Sequence, residues 1–217
     1  MYIEYYINTI DEKEIDIKTN IDNITKYGVP YPSIVAPIHY IKFIKKNYPH
    51  IKCGTYVDYP LAYEELSRRQ DLILDAIKLG ITFINIPVPF YSIINRKYDK
   101  FRDDIKKNLE LCVPQHIELR YMLEYRKFDH PLLCKVCEIL VQGGVNIVYP
   151  STGFFLDNIN DNLIACAYLK EKTGINTIVN GNVWSSDHIQ NMLKIKPYGF
   201  SSNNPLNFRL INQNIAN

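Results

Sequence analysis

The chain has 217 residues, 47% of them hydrophobic, with 25 Lys and Arg against 23 Asp and Glu. That is enough apolar material for one sizeable core, so a single domain spanning 1–217 is expected. A net charge of +2 is far from the basic stripe that neutralises a phosphate backbone, and no apolar run approaches the roughly 18 residues of a membrane span; nucleic acid and membrane are therefore excluded as partners.

The opening MYIEYYINTIDEKE lacks the basic start and apolar run of a signal peptide, so a soluble, cytoplasmic protein is expected. Five cysteines, an odd number scattered through strand-like and helix-like segments, read as reduced thiols.

In chain order, YIEYYI is rich in β-formers and predicts the first strand, and residues 11–27 repeat Ile on one face of a helix. PSIVAP is the second strand, followed by a helix over 39–48. IKCGTYVDYP is the third strand, closed by Pro60, and residues 63–79 form an amphipathic helix ended by Gly80. ITFINIPVP and a helix over 98–111 make the fourth pair, and HIELRYMLEY with a helix capped near Asp129 makes the fifth. VNIVYPSTGF with 158–173, then NTIVNGN with a helix capped by Ser185 or Ser186, make the sixth and seventh. PYGFSS is the eighth strand, and the tail after Asn204 is too short to predict its helix firmly. Strict alternation of strand and helix signals an α/β fold with a parallel sheet, and eight units predict a single (β/α)8 TIM barrel.

Such barrels place the active site at the C-terminal strand ends, which selects Asn8 and Thr9, His39, Asp58 and Tyr59, Asn85, Glu124, residues 149–153, residues 180–182, Ser201 and Ser202. Cys134 and Cys137 form a C-x-x-C pair inside an apolar helix with no second pair, and the histidines form no ligand motif, so no metal is expected.

Several of these segments carry a family likeness. VYPSTGF at 148–154 resembles the V-K-T-S-T-G-F that ends strand six of deoxyribose-phosphate aldolases. In order around it, CGTYVDYPLA, LRYMLEY, TIVNGNVWSSDHI and YGFSS resemble that family's strands three, five, seven and eight. The resemblance implies a barrel, no cofactor, and at most a homodimer. It also implies a lost chemistry. The family's imine-forming lysine falls on Tyr149, its strand-four aspartate on Asn85, and its second lysine on Ile178. A phenol forms no imine, a carboxamide exchanges no proton near neutral pH, and isoleucine ionises not at all.

Arg120 matches a family lysine and Glu124 a family glutamate, and a buried guanidinium needs a carboxylate from Glu124, Asp58 or Glu4. Asp58 replaces a glycine and is a candidate acid or base, with Tyr149 or Tyr59 as proton donors and Asn85 or Asn180 orienting a carbonyl oxygen. Ser151 and Thr152 join Tyr59 and Asn180 as candidate substrate contacts. Gly153, Gly181, Asn182, Ser201 and Ser202 correspond to the family's phosphate pocket, while Trp184, Phe154, Phe155 and Phe200 offer apolar contact near the same mouth.

Two readings follow for a small-molecule ligand, phosphorylated or carbonyl-bearing. One is a repurposed enzyme using Asp58, Tyr149 and Glu124 for lyase, isomerase, dehydration or cyclisation chemistry, preferred because new polar groups stand at the mouth. The other is a catalytically silent relative that binds a ligand or partner protein. The first requires Asp58, Glu124 and Tyr149 to converge on one point.

Overall fold

The computed structural model describes residues 1–8, 11–29, 31–155 and 158–215; Thr9 lies outside them. Among the described residues eight parallel strands close in sequence order into a barrel: β1 (Tyr2–Tyr6), β2 (Ser33–Ala36), β3 (Cys53–Tyr56), β4 (Phe83–Pro87), β5 (Glu118–Met122), β6 (Ile147–Tyr149), β7 (Asn176–Asn180) and β8 (Gly199–Ser202). The eighth strand returns to the first, with Glu4 beside Ser201.

The helices form the outer ring: α1 (Glu14–Lys26), α2 (Ile41–Asn47), α3 (Leu66–Ile77), α4 (Phe90–Ile94), α5 (Tyr98–Cys112), α6 (His130–Gln142), α7 (Ile159–Thr173), α8 (Ser186–Ile195) and α9 (Pro205–Ile215). Expected caps form: the Asp129 side chain accepts from Leu132 N–H, and Ser185, the first of the two candidates, accepts from His188 N–H. The tail after Asn204 does form a helix. Its start is secured by Asn204, whose side chain accepts from Leu206 N–H at 3.0 Å.

The third strand is shorter than the residues from 51 to 60 suggested. It stops at Tyr56 because the chain turns at Asp58, which takes a left-handed φ of 53°. Helix α3 accordingly starts at Leu66 rather than near Tyr63. The short α4 within the connection after β4 was not expected.

Residues that alternate along each strand divide between two cores. Outward-facing Tyr5, Ile34, Ile84, Tyr121 and Val148 meet buried helix residues such as Ile21, Ile73, Phe101 and Leu140. Inward-facing side chains fill the barrel itself. Tyr6, Val35 and Phe83 pack with Tyr56 as one cluster, and Met122, Ile147, Tyr149 and Ile178 pack with Tyr2, Tyr56 and Tyr59 as another. Gly54 is required here, because a Cβ on it would lie 2.3 Å from the Phe83 ring. All five cysteines are free thiols; Cys134 is half-buried and the other four are buried. No described helix is long and apolar enough to cross a membrane.

Candidate functional site

Glu4 stands at the middle of β1, wholly buried, and alternation points it into the barrel. Its carboxylate gathers four donors. Tyr149 Oη donates at 2.8 Å, Tyr2 Oη at 2.9 Å, Ser201 Oγ at 2.7 Å and the Arg120 guanidinium at 2.9 Å. Arg120 also donates to Tyr149 Oη at 3.2 Å and is paired through Nε with Glu118 at the base of β5. Its planar cation lies 4.0 Å from the Phe83 ring centroid and 4.7 Å from that of Tyr2. The buried cation is thus neutralised by Glu4, not by Glu124 or Asp58.

Burial and the neighbouring Glu4 charge push the Tyr149 hydroxyl well above its usual range, so it stays a neutral phenol that donates to the carboxylate. Above this network the chamber narrows to about 10 Å³, bounded by Tyr6, Tyr56, Asn85, Tyr149, Thr152 and Asn180 among others. That is roughly the room of one water. The Asn85 side chain is buried there and makes no hydrogen bond with the protein among the described residues. Tyr56 lines the chamber, and the Tyr59 ring packs beside it with centroids 4.6 Å apart.

The groups expected to share one point belong to three separate networks. Asp58 turns away from Tyr149. One oxygen accepts from Glu64 N–H at 3.1 Å and the other pairs with Arg69 at 3.1 Å. Arg69, from the inner face of α3, also pairs with Asp104 of α5 at 3.1 Å and donates to the Pro87 carbonyl. Tyr121 donates to Asp104 at 2.8 Å. Burial raises both carboxyls above their ordinary range, although Arg69 opposes the shift. The sequence signals were Arg69 on the buried face of α3, and Asp104 and Asn108 on the buried face of α5 beside Phe101 and Ile105.

Glu124, in a left-handed conformation with φ 49°, accepts from both the backbone N–H and the hydroxyl of Thr152, the latter at 2.7 Å. It therefore clamps the loop after β6. Tyr59 donates to the Thr152 carbonyl at 3.1 Å, and the Asn180 amide donates to Ser151 Oγ at 3.0 Å. These candidate substrate contacts are engaged in holding that loop shut over the barrel.

Gly153, Gly181 and Asn182 do come together. They line a cavity of about 330 Å³ at the mouth of β6, β7 and β8, with Asn158, Trp184 and His188. Gly181 has φ 137°, a conformation suited to glycine, and its N–H bonds the Ser201 carbonyl. Ser201 and Ser202 are outside the lining: Ser201 Oγ donates to Glu4, and Ser202 Oγ lies 2.7 Å from Asn207 Oδ1 as its donor. Phe200 is buried against Phe208 of α9, whereas Phe154, Phe155 and Trp184 are exposed. Among the described residues no three His, Cys, Asp or Glu side chains are grouped as a metal would need.

No family model matches the chain. Over 142 residues it is 27% identical to the deoxyribose-phosphate aldolase of Clostridioides difficile, a stretch covering 64% of this chain and 62% of that protein. The chain thus spans less than two thirds of the length of this curated relative. Among solved structures, the aldolase QR15 superposes with a TM-score of 0.85 at 16% identity, covering 99% of this chain and 94% of the other. The deoxyribose phosphate aldolase of Aeropyrum pernix follows at 0.82 and 14% identity, covering 95% and 87%. In sequence over part of its length, and in fold over nearly all of it, the chain resembles the deoxyribose-phosphate aldolases.

Proposed function

We propose that this barrel is a ligand-binding relative of the aldolases that forms no lysine imine, holding an anionic, phosphorylated small molecule at the mouth of β6, β7 and β8. The observation that carries this reading is the state of the central chamber. Tyr149, Glu4 and Arg120 satisfy one another there, and about 10 Å³ remains. An imine requires an amine that is uncharged and within reach of a carbonyl. No lysine is buried among the described residues. The peripheral cavity, by contrast, is large enough at about 330 Å³ for a small ligand, and Gly153, Gly181 and Asn182, which correspond to the family's phosphate pocket, line it together with His188.

The test pairs two readouts with deoxyribose 5-phosphate. Borohydride reduction followed by intact-mass spectrometry is expected to leave the protein mass unchanged, and the ligand is expected to raise the thermal midpoint as any native-state ligand does. A reduced adduct mapped to one lysine would overturn the imine-free reading, and an unmoved midpoint would remove the anion site.

A repurposed enzyme is the second reading. It is favoured by the enzymatic identity of the curated relatives and by the unpartnered Asn85 amide facing the chamber. It requires Tyr56 and Tyr59 to swing aside, and predicts that conversion of a phosphorylated carbonyl compound is abolished by Asn85→Leu.

A further inference from the structure

Asn85 is the one described residue whose buried side chain leaves both of its polar atoms without a hydrogen bond in the protein. Asn108 and Asn162, also buried, each donate through their nitrogen, to Tyr121 Oη at 3.2 Å and to the Asn180 carbonyl at 2.7 Å. A buried amide that pairs with nothing loses the hydrogen bonds that water gave it in the unfolded chain, so the position is unfavourable unless something else completes it. Alternation along β4 aims Asn85 into the barrel with Phe83, between Tyr56 of β3 and Arg120 of β5 in the strand register. There it lines the central chamber together with Tyr6, Tyr56, Tyr149 and Met122.

These groups restrict what the chamber can recognise. Glu4, the carboxylate in its lining, is neutralised by Arg120 and takes hydroxyl donors from Tyr149 and Ser201, so a charged ligand of either sign gains little there. The Asn85 carboxamide offers a donor and an acceptor side by side. A ketone would satisfy the donor and leave Oδ1 unpaired, whereas a secondary amide held cis by a ring satisfies both through two parallel hydrogen bonds. Aromatic walls suit the flat, apolar body of such a ring.

The remaining space of about 10 Å³ is too small for a ring, so one wall must yield. Tyr56 is the wall that yields most easily. It is half-buried at the end of β3, and its hydroxyl makes no hydrogen bond among the described residues. Tyr149 donates to Glu4 at 2.8 Å and Tyr59 to the Thr152 carbonyl at 3.1 Å, so either would break a bond by moving. Turning Tyr56 off the Tyr59 ring, 4.6 Å from it between centroids, frees the space of a phenol beside Asn85. We propose that the central chamber is a gated site for a small neutral cyclic amide, a lactam, with Tyr56 as the gate and Asn85 as the residue that recognises it. The proposal goes beyond the anion reading of the β6–β8 cavity, since it involves neither a phosphate nor a lysine.

The test compares 2-pyrrolidinone with cyclopentanone, which has the same shape but no N–H, by calorimetry and ligand-observed nuclear magnetic resonance on the full chain. Tyr56→Ala is expected to bind 2-pyrrolidinone about tenfold or more tighter than the parent does, because binding no longer waits for the ring to turn out. In that variant cyclopentanone is expected to bind about tenfold or more weaker than 2-pyrrolidinone. The parent should show the same preference at lower affinity, which needs no control for folding. Adding Asn85→Leu to Tyr56→Ala is expected to level the two ligands while cyclopentanone still binds, which separates lost recognition from lost fold.

Equal affinity for the two ligands in both the parent and Tyr56→Ala, or a lactam preference that survives Asn85→Leu, would overturn Asn85 as the recognising residue. Weaker lactam binding by Tyr56→Ala than by the parent would overturn the gate. Binding of neither ligand to either protein would overturn the whole inference. Each of these results leaves the β6–β8 reading standing, because deoxyribose 5-phosphate is read separately and 2-pyrrolidinone is not expected to displace it.

Discussion

Replacing Glu4 by glutamine tests the central network most directly. The Glu4 side chain is 0% exposed and that of Arg120 4%, so neither ion recovers hydration in the folded state. An amide in place of the carboxylate removes the charge and turns an N–H2 toward donors that need acceptors: Tyr149, Tyr2, Ser201 and Arg120. Among the described carboxylates Arg120 then pairs with Glu118 alone, whose side chain is 43% exposed and correspondingly screened. Breaking one side of a buried pair costs about 3–5 kcal/mol, a large share of the roughly 5–15 kcal/mol that holds a typical domain together. Urea unfolding followed by far-ultraviolet circular dichroism should therefore show Glu4→Gln with an earlier midpoint and an unchanged slope. The double variant Glu4→Leu with Arg120→Met removes both ions and should regain part of the loss, the remainder reflecting the Tyr149, Tyr2 and Ser201 hydroxyls that lose their acceptor. A Glu4→Gln protein within about 1 kcal/mol of the parent would refute the claim that this charge pair is desolvated and coupled.

Asp58→Asn leaves Arg69 with Asp104 alone, and is expected to cost about 1–3 kcal/mol of stability in the same urea assay. It should leave ligand affinity at the β6–β8 cavity unchanged; a large affinity loss would return Asp58 to the site. Burial raises the hydroxyls of Tyr2, Tyr5, Tyr56, Tyr121 and Tyr149 above their usual range. Their folded values exceed the unfolded one, so this stability is fully present below about pH 10 and is lost as pH rises further. Absorbance at the phenolate band and circular dichroism should then change together in an alkaline titration, and early ionisation of all 17 tyrosines in a folded protein would contradict their burial. Burial also pushes the thiols of Cys53, Cys112 and Cys166 up to about 12, so an aromatic disulfide reagent should label only Cys134 rapidly in the native state.

The alternation of apolar strands with amphipathic helices determined the barrel, since period 2 and period 3.6 are local properties that survive without tertiary information. The boundary of β3 was not local in that sense: a left-handed Asp58 ends the strand four residues before its β-forming composition does. The same turn decided the fate of Asp58. Its position near a strand end was legible, but the direction of its carboxylate depended on Arg69 eleven residues on and Asp104 on a different helix.

Glu4 illustrates the converse. A lone acid inside YIEYY alternates inward with Tyr2 and Tyr6, and the buried charge of Arg120 demanded a partner, so it was among three candidates from the start. Choosing among them required knowing that β1 and β5 face each other across the barrel, whereas Glu124 sits in the loop after β5 with Thr152 at hand.

By itself the sequence determined the eight-unit fold and the likeness to the aldolases. Only the tertiary structure decided that Tyr149 fills the chamber rather than lining an open one, and that a cavity of about 330 Å³ lies beside Gly153, Gly181 and Trp184. The reason is physical: periodicity says which face a side chain takes, but volume and charge compensation are properties of all the strands that meet at one point.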